Sequence, residues 1–163
     1  MTQDVVIAGG GIGGLACALA LARAGQSVQV LEQSPCLAEV GAGIQLGPNA
    51  VRVLDAWGLS EGLAACAAFP EALKVRDARS AATLGRLQLG PMVRARYGQP
   101  YATIHRADLH SLLLEALRTQ MHMDVSLGAR VSSYAEHGKG VAVACEDGRQ
   151  FRGAALVGAD GLW

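Results

Sequence analysis

The chain has 163 residues and no formal net charge, with 51% of residues hydrophobic and 17% charged. That length supports a domain with a substantial core, and balanced charge gives no electrostatic basis for binding nucleic acid or an anionic membrane. Cys17, Cys36, Cys66 and Cys145 are widely spaced with no C-x-x-C pair, which points to reduced thiols in a cytoplasmic protein rather than a disulfide framework or metal site. His105 and His110 are five residues apart, off the i, i+4 spacing that puts two ligands on one helix face. Arg86, Arg94 and Arg96 are the densest basic group and read as a solvated loop.

Val5 to Ala22 carries no charge and has the length of a membrane span. Its glycines crowd between Gly9 and Gly14, where a helix would be weakest, and Asp4 stands where a signal peptide wants basic residues. A strand, a glycine turn and a helix explain the segment better. Val5 to Ala8 is a short apolar strand suited to burial on both faces, and Gly9, Gly11 and Gly14 satisfy G-x-G-x-x-G. Gly13 to Ala24 reads as an Ala/Leu-rich helix stopped near Gly25. Val28 to Leu31 is a second apolar strand, ending at Glu32.

Each part has a physical task in dinucleotide binding. Gly9 permits the tight turn out of the strand, Gly11 keeps side chains away from a pyrophosphate, and Gly14 lets helix and strand pack closely. The helix N-terminus offers unpaired N–H groups to the phosphates. Glu32 lies eighteen residues after Gly14, where a carboxylate accepts hydrogen bonds from a ribose 2′-OH. Its charge repels a 2′-phosphate, so the site favours FAD or NAD over NADP. The motif does not choose between those two.

Beyond Glu32 the spacing predicts a loop broken by Gly41, Gly43 and Gly47, then a short helix from Asn49 to Trp57 started by Pro48 and ended by Gly58. An antiparallel insertion follows over about 72–102, with two strands around a Ser-Ala-Ala turn between Ala72 and Leu89. An amphipathic helix then presents Leu109, Leu112, Leu113 and Leu117, with Asp108 as its cap. The stretch from Val131 forms a meander turning at His137-Gly138 and Asp147-Gly148, and Ala155 to Ala159 is a last strand. The fold expected is α/β: a Rossmann-like domain with a mainly parallel sheet, an antiparallel insertion and a β-meander.

GGGIGG with Glu32, GAGIQLGPNA (41–50), TIHRADLHSLLLEAL (103–117) and GADG (158–161) resemble the single-component FAD-dependent aromatic hydroxylases, the class A flavoprotein monooxygenases. The resemblance runs along the whole chain and is strongest to the branch of 6-hydroxynicotinate, salicylate and 3-hydroxybenzoate hydroxylases. It implies FAD at the N-terminal site, NADH or NADPH as co-substrate, O₂ as oxidant and a small aromatic acid or phenol as substrate.

By the same resemblance Gly9, Gly11, Gly13, Gly14, Glu32, Gln33, Gly43, Ile44, Arg106, Val131 and Asp160 occupy cofactor-binding positions. Arg106 matches the Arg of the HRADL segment, which contacts the flavin cofactor; read from the residues alone it is a surface partner for Asp108 or Glu115. Val131 matches a strand position whose backbone lies beside the adenine, and otherwise reads as core. Asp160 matches the Asp of the Asp-Gly motif, tied to flavin binding and pyridine-nucleotide use; the alternative is an Asp holding a turn. Gln45 stands where some relatives carry a His with a base role, and an amide cannot remove a proton. Gln45 remains a candidate flavin or substrate contact, and no catalytic residue is assigned.

In that family GADG lies roughly midway along the chain. LVGADGLW, from Leu156 to Trp163, therefore reads as a break inside an incomplete FAD-binding domain, with the remainder of the polypeptide as its first partner. Homodimerisation is left open. Two other readings stand beside this one: another FAD-dependent oxidoreductase of the same fold, such as a ubiquinone-pathway hydroxylase, and a non-catalytic nucleotide-binding fragment.

Overall fold

The computed structural model describes residues 4–37, 41–138 and 140–161. Leu162 and Trp163, part of the expected break, lie outside them, as do Lys139 and residues 38–40 of the expected loop. In chain order the elements are β1 (Val5–Ala8), α1 (Ile12–Arg23), β2 (Val28–Leu31), β3 (Gly43–Leu46), α2 (Pro48–Ala56), α3 (Ser60–Cys66) and β4 (Ala67–Ala68). Then come β5 (Ala72–Arg76), β6 (Thr83–Gln88), α4 (Gly90–Tyr97), β7 (Ala102–His105) and α5 (Arg106–Arg118). The chain continues through β8 (Met123–Ser126), β9 (Val131–His137), β10 (Gly140–Cys145), β11 (Gln150–Gly153) and β12 (Ala155–Gly158).

Two compact units divide these elements: residues 1–39 with 110–163, and residues 40–109. The first holds a parallel sheet in the order β12-β1-β2-β8 and an antiparallel sheet β11-β10-β9. β2 is buried at every position, as a central parallel strand covered on both faces must be. Helix α1 packs on β1 and β2, burying Leu15, Ala18 and Leu19. It begins at Ile12, one residue earlier than the apolar pattern predicts, and Gly25 beyond its end takes φ +78°.

The meander is held to the parallel sheet by a cluster of Val6, Leu31, Ala129, Val141, Val143 and Cys145, with Val131, Phe151 and Leu156 against it. Buried residues alternate along β10, the signature of a strand with one face inward. A register shift between Ala144 and Cys145 sets Val131 rather than Ser132 opposite Cys145. This bulge delivers an apolar side chain to the core and leaves Ser132 exposed, its hydroxyl donating to the Ala144 carbonyl at 3.1 Å.

In the second unit β3, β7 and β4 form an antiparallel sheet, and β5 pairs with β6 as a separate ribbon around the expected turn. The loop expected after Glu32 is corrected here: Gly43–Leu46 is a strand, because pairing with β7 satisfies a backbone that its glycines left unassigned. Arg94 and Arg96 lie in α4 and Arg86 in β6, not in a loop, though all three are exposed as anticipated. The cap of α5 is also corrected. The helix starts at Arg106, which puts Asp108 inside the first turn, while the His105 Nδ1 accepts the Ala107 N–H at 3.3 Å. Its buried leucines are Leu109, Leu113, Leu114 and Leu117, with Leu112 only partly covered.

Candidate functional site

The glycine turn between β1 and α1 is shaped by contacts that exclude side chains. Gly9 has φ +111°, and a Cβ there would come within 2.3 Å of the Ala159 carbonyl oxygen. The Ala159 N–H in turn donates to the Ala8 carbonyl at 2.7 Å, extending the β1–β12 pairing by one residue. A Cβ at Gly14 would meet the Gly9 carbonyl oxygen at 1.9 Å, which is the close helix-to-strand approach the motif predicts. Gly13 differs: it is exposed, and an added Cβ would meet nothing within 4 Å.

Gly11 is the extended N-cap of α1, and the first intrahelical bond runs from the Leu15 N–H to the Gly11 carbonyl at 2.9 Å. The N–H groups of Ile12, Gly13 and Gly14 precede that bond, so they have no intrahelical acceptor. Together with the helix dipole they form a cradle for an anion, open at Gly13.

Glu32 follows β2 with its carboxylate turned to the same loop. Its Oε2 accepts the Gly10 N–H at 2.6 Å and its Oε1 accepts the Ser34 N–H at 2.7 Å. An added Cβ at Gly10 would stand 3.0 Å from the Glu32 side chain and from Leu37 Cδ2, a tight contact though looser than the backbone contacts at Gly9 and Gly14. The backbone of Glu32 is tied as well, its carbonyl accepting the Ala129 N–H at 2.8 Å, two residues before Val131. Thus Glu32, Gly10 and the start of β9 belong to one hydrogen-bonded corner, and Gln33 is exposed beside it. Sequence reasoning missed two members of this corner. Gly10 lies between motif positions, and His110, 3% exposed, brings its Nε2 to 2.8 Å from the Gly10 carbonyl oxygen. The available signal was a polar residue set among Leu109, Leu113 and Leu117 on the buried face of α5.

Asp160 stands exposed just beyond β12, two residues from Gly158, which pairs with Ala8. The GxGxxG and GADG motifs are therefore spatial neighbours, joined through β1 and β12.

The other two motifs also meet, within the second unit. GAGIQLGPNA and TIHRADL pair strand to strand, with Gly43 opposite His105, Ile44 opposite Ile104 and Gln45 opposite Thr103. The Arg106 N–H donates to the Ala42 carbonyl at 3.3 Å, and the alkyl stem of Arg106 runs over Gly41, where a Cβ would meet its Cδ at 3.1 Å. Gly43 has no such constraint, its nearest neighbour being 3.8 Å away. Gln45 is exposed on β3, able to offer its amide outward. The Cys66 thiol is pushed above its usual pKa by burial and by the charge of Asp108, and burial and Asp147 do the same for Cys145 against a smaller opposing effect of Arg149. Both are held in the neutral thiol form, which argues against a nucleophilic role.

A parallel β-α-β unit with a glycine turn, free helix N–H groups and a carboxylate closing the second strand defines a dinucleotide-binding α/β protein. The chain matches the FAD binding domain family over residues 2–163 and belongs to that family. It is 44% identical over 158 residues to 3-hydroxybenzoate 6-hydroxylase of Polaromonas naphthalenivorans, covering 97% of this chain and 40% of that protein. It is 34% identical over 158 residues to 6-hydroxynicotinate 3-monooxygenase of Bordetella bronchiseptica, covering 97% of this chain and 40% of that protein. Among solved structures, Klebsiella pneumoniae HpxO complexed with FAD and uric acid superposes with a TM-score of 0.83 at 30% identity, over 98% of this chain and 39% of that one. The chain thus spans about two fifths of the length of these relatives. No helix among the described residues is long and apolar enough to cross a membrane.

Proposed function

We propose that the chain is the FAD-binding part of a flavin-dependent monooxygenase that hydroxylates a small aromatic acid or phenol with NAD(P)H and O₂. The observation that carries the cofactor assignment is the Glu32 carboxylate. It closes β2 and grips the glycine turn through Gly10, which sets an acidic acceptor beside an open anion cradle. The residues fit a dinucleotide: the N–H groups at the start of α1 suit the pyrophosphate, and the remaining acceptor capacity of Glu32 suits ribose hydroxyls. Identity to named hydroxylases along nearly the whole chain supports an aromatic substrate.

When bound, FAD supplies the electron transfer and oxygen activation. The protein's own groups bind and orient it. Gly9 and Gly14 keep the turn tight, Gly13 leaves room for phosphate, and Arg106 offers a guanidinium suited to phosphate or polar cofactor oxygens. Val131 contributes backbone for the adenine side, Asp160, Gln33, Gly43 and Ile44 are further cofactor contacts, and Gln45 is a flavin or substrate contact. The glutamine amide at position 45 donates and accepts hydrogen bonds but moves no proton.

The test is a panel of hydroxylated benzoates, nicotinates and phenols added to the complete gene product with NADH or NADPH, following nucleotide oxidation and hydroxylated product together. Stimulated oxidation with product formation is the expected result. Purified protein that neither carries nor takes up FAD, or that reacts with no aromatic compound, overturns the proposal.

A further inference from the structure

His110 reaches the glycine turn from α5 and holds the peptide next to the cofactor cradle. We infer that His110 is a positioning residue for FAD, acting through Gly10; this rests on the flavin reading above. Three observations carry it. The imidazole is 3% exposed, and its Nε2 lies 2.8 Å from the Gly10 carbonyl oxygen. A carbonyl only accepts, so Nε2 carries the hydrogen and donates it. The same residue's N–H is taken by Glu32 at 2.6 Å. Gly10 is therefore held at both ends, by an acid on its N–H and an imidazole on its carbonyl.

This clamp has two consequences for the cradle. It fixes the backbone of Gly10 immediately before Gly11, the N-cap from which the free N–H groups of α1 begin. It also satisfies a carbonyl whose partial negative charge would otherwise remain uncompensated close to an anion site. Without the imidazole donor the peptide regains freedom to rotate, and the N–H groups that receive phosphate lose their fixed direction. Burial explains why a leucine-rich helix face tolerates a polar side chain here: its hydrogen bond is made within the fold.

The experiment compares wild type, His110→Leu, His110→Gln and His110→Asn as the complete apo protein. Gln carries an amide nitrogen near the Nε2 position, whereas Asn ends short of it. FAD affinity is read by flavin fluorescence quenching, and amide hydrogen exchange is read across residues 9–13 without cofactor. We expect His110→Leu and His110→Asn to bind FAD about tenfold more weakly, the loss of one buried hydrogen bond, and to exchange faster in the turn. His110→Gln should stay within about twofold of wild type in affinity, well inside a single hydrogen bond's worth, and keep its protection. If His110→Leu does not fold, His110→Asn against His110→Gln carries the same comparison. Wild-type affinity in the Leu or Asn variant, or equal weakening of all three, overturns the inference. Failure of the wild type to bind FAD overturns the cofactor reading instead, and unchanged exchange in the turn then sinks the clamp separately.

Discussion

Glu32 holds Gly10 by accepting its N–H at 2.6 Å on Oε2, while its Oε1 accepts the Ser34 N–H at 2.7 Å. Both oxygens face N–H donors, so Glu32→Gln is not conservative: an amide must turn its NH₂ towards one of them. FAD affinity should fall by about 1–3 kcal/mol in Glu32→Gln and similarly in Glu32→Ala, since each leaves a donor without its acceptor. Titration of the apo variants with FAD measures this. A glutamine variant that binds like wild type would show that the carboxylate is dispensable.

Gly9 and Gly13 belong to one motif yet should respond oppositely to alanine. At Gly9 the left-handed φ and the 2.3 Å approach to Ala159 leave no room, so Gly9→Ala should destabilise by about 1–3 kcal/mol or prevent folding. Gly13 lies in the first turn of α1 with open space around it, and Gly13→Ala should stabilise the apo protein by about 0.5–1 kcal/mol. The same methyl group enters the cradle, so FAD should bind more weakly. Thermal unfolding with and without FAD separates the two effects. A Gly13→Ala protein stabilised equally in both conditions would place the phosphate elsewhere.

These responses also show what could be read from residues alone. β1, β2 and the helix between them were legible because apolar runs and glycines there obey local rules: two buried strands and a turn. β3 was not, because Gly43–Leu46 owes its extended form to β7, and nothing within GIQL demands a strand. β8 was hidden likewise; MDVS is mixed in polarity and becomes a strand by pairing with β2, after His122 takes φ +62°. The helix α4 was masked by Gly90 and Pro91, which punctuate a loop equally well but here open a helix. In the site, Glu32 was legible as an acid at a set spacing, whereas its grip on Gly10 and the reach of His110 depend on tertiary placement.

Two turns should weaken in acid. The Asp77 carboxyl is held below its usual pKa, first by the Ser80 N–H, with the Ser80 hydroxyl and Arg79 N–H adding to it. Asp147 is lowered first by the Arg149 N–H, with its guanidinium also contributing. A depressed folded pKa means stability that is present above the unfolded value of about 3.9 and lost as pH falls through the folded one. Asp77→Asn and Asp147→Asn should therefore be less stable than wild type at neutral pH, and the difference should vanish in stronger acid. Denaturant unfolding at neutral and acidic pH checks the sign; a gap that widens as pH falls contradicts it.

Arg106 and Gly41 supply the last prediction. The Arg106 stem crosses Gly41, where an added Cβ would come to 3.1 Å from Cδ and 3.4 Å from Cβ of the arginine. Gly41 is exposed, so Gly41→Ala should change the unfolding temperature little. FAD binding should respond instead. Arg106→Ala should weaken it by about 1–3 kcal/mol, the range for a lost hydrogen bond to a charged group. Arg106→Lys should recover only part, because a point charge does not reproduce a planar fork of donors. Gly41→Ala should fall between wild type and Arg106→Ala, since a flexible stem can move aside but must then re-aim its guanidinium. The measurement is FAD affinity across the four proteins at fixed ionic strength. Equal affinities would remove Arg106 from the cofactor site and leave it a surface residue of α5.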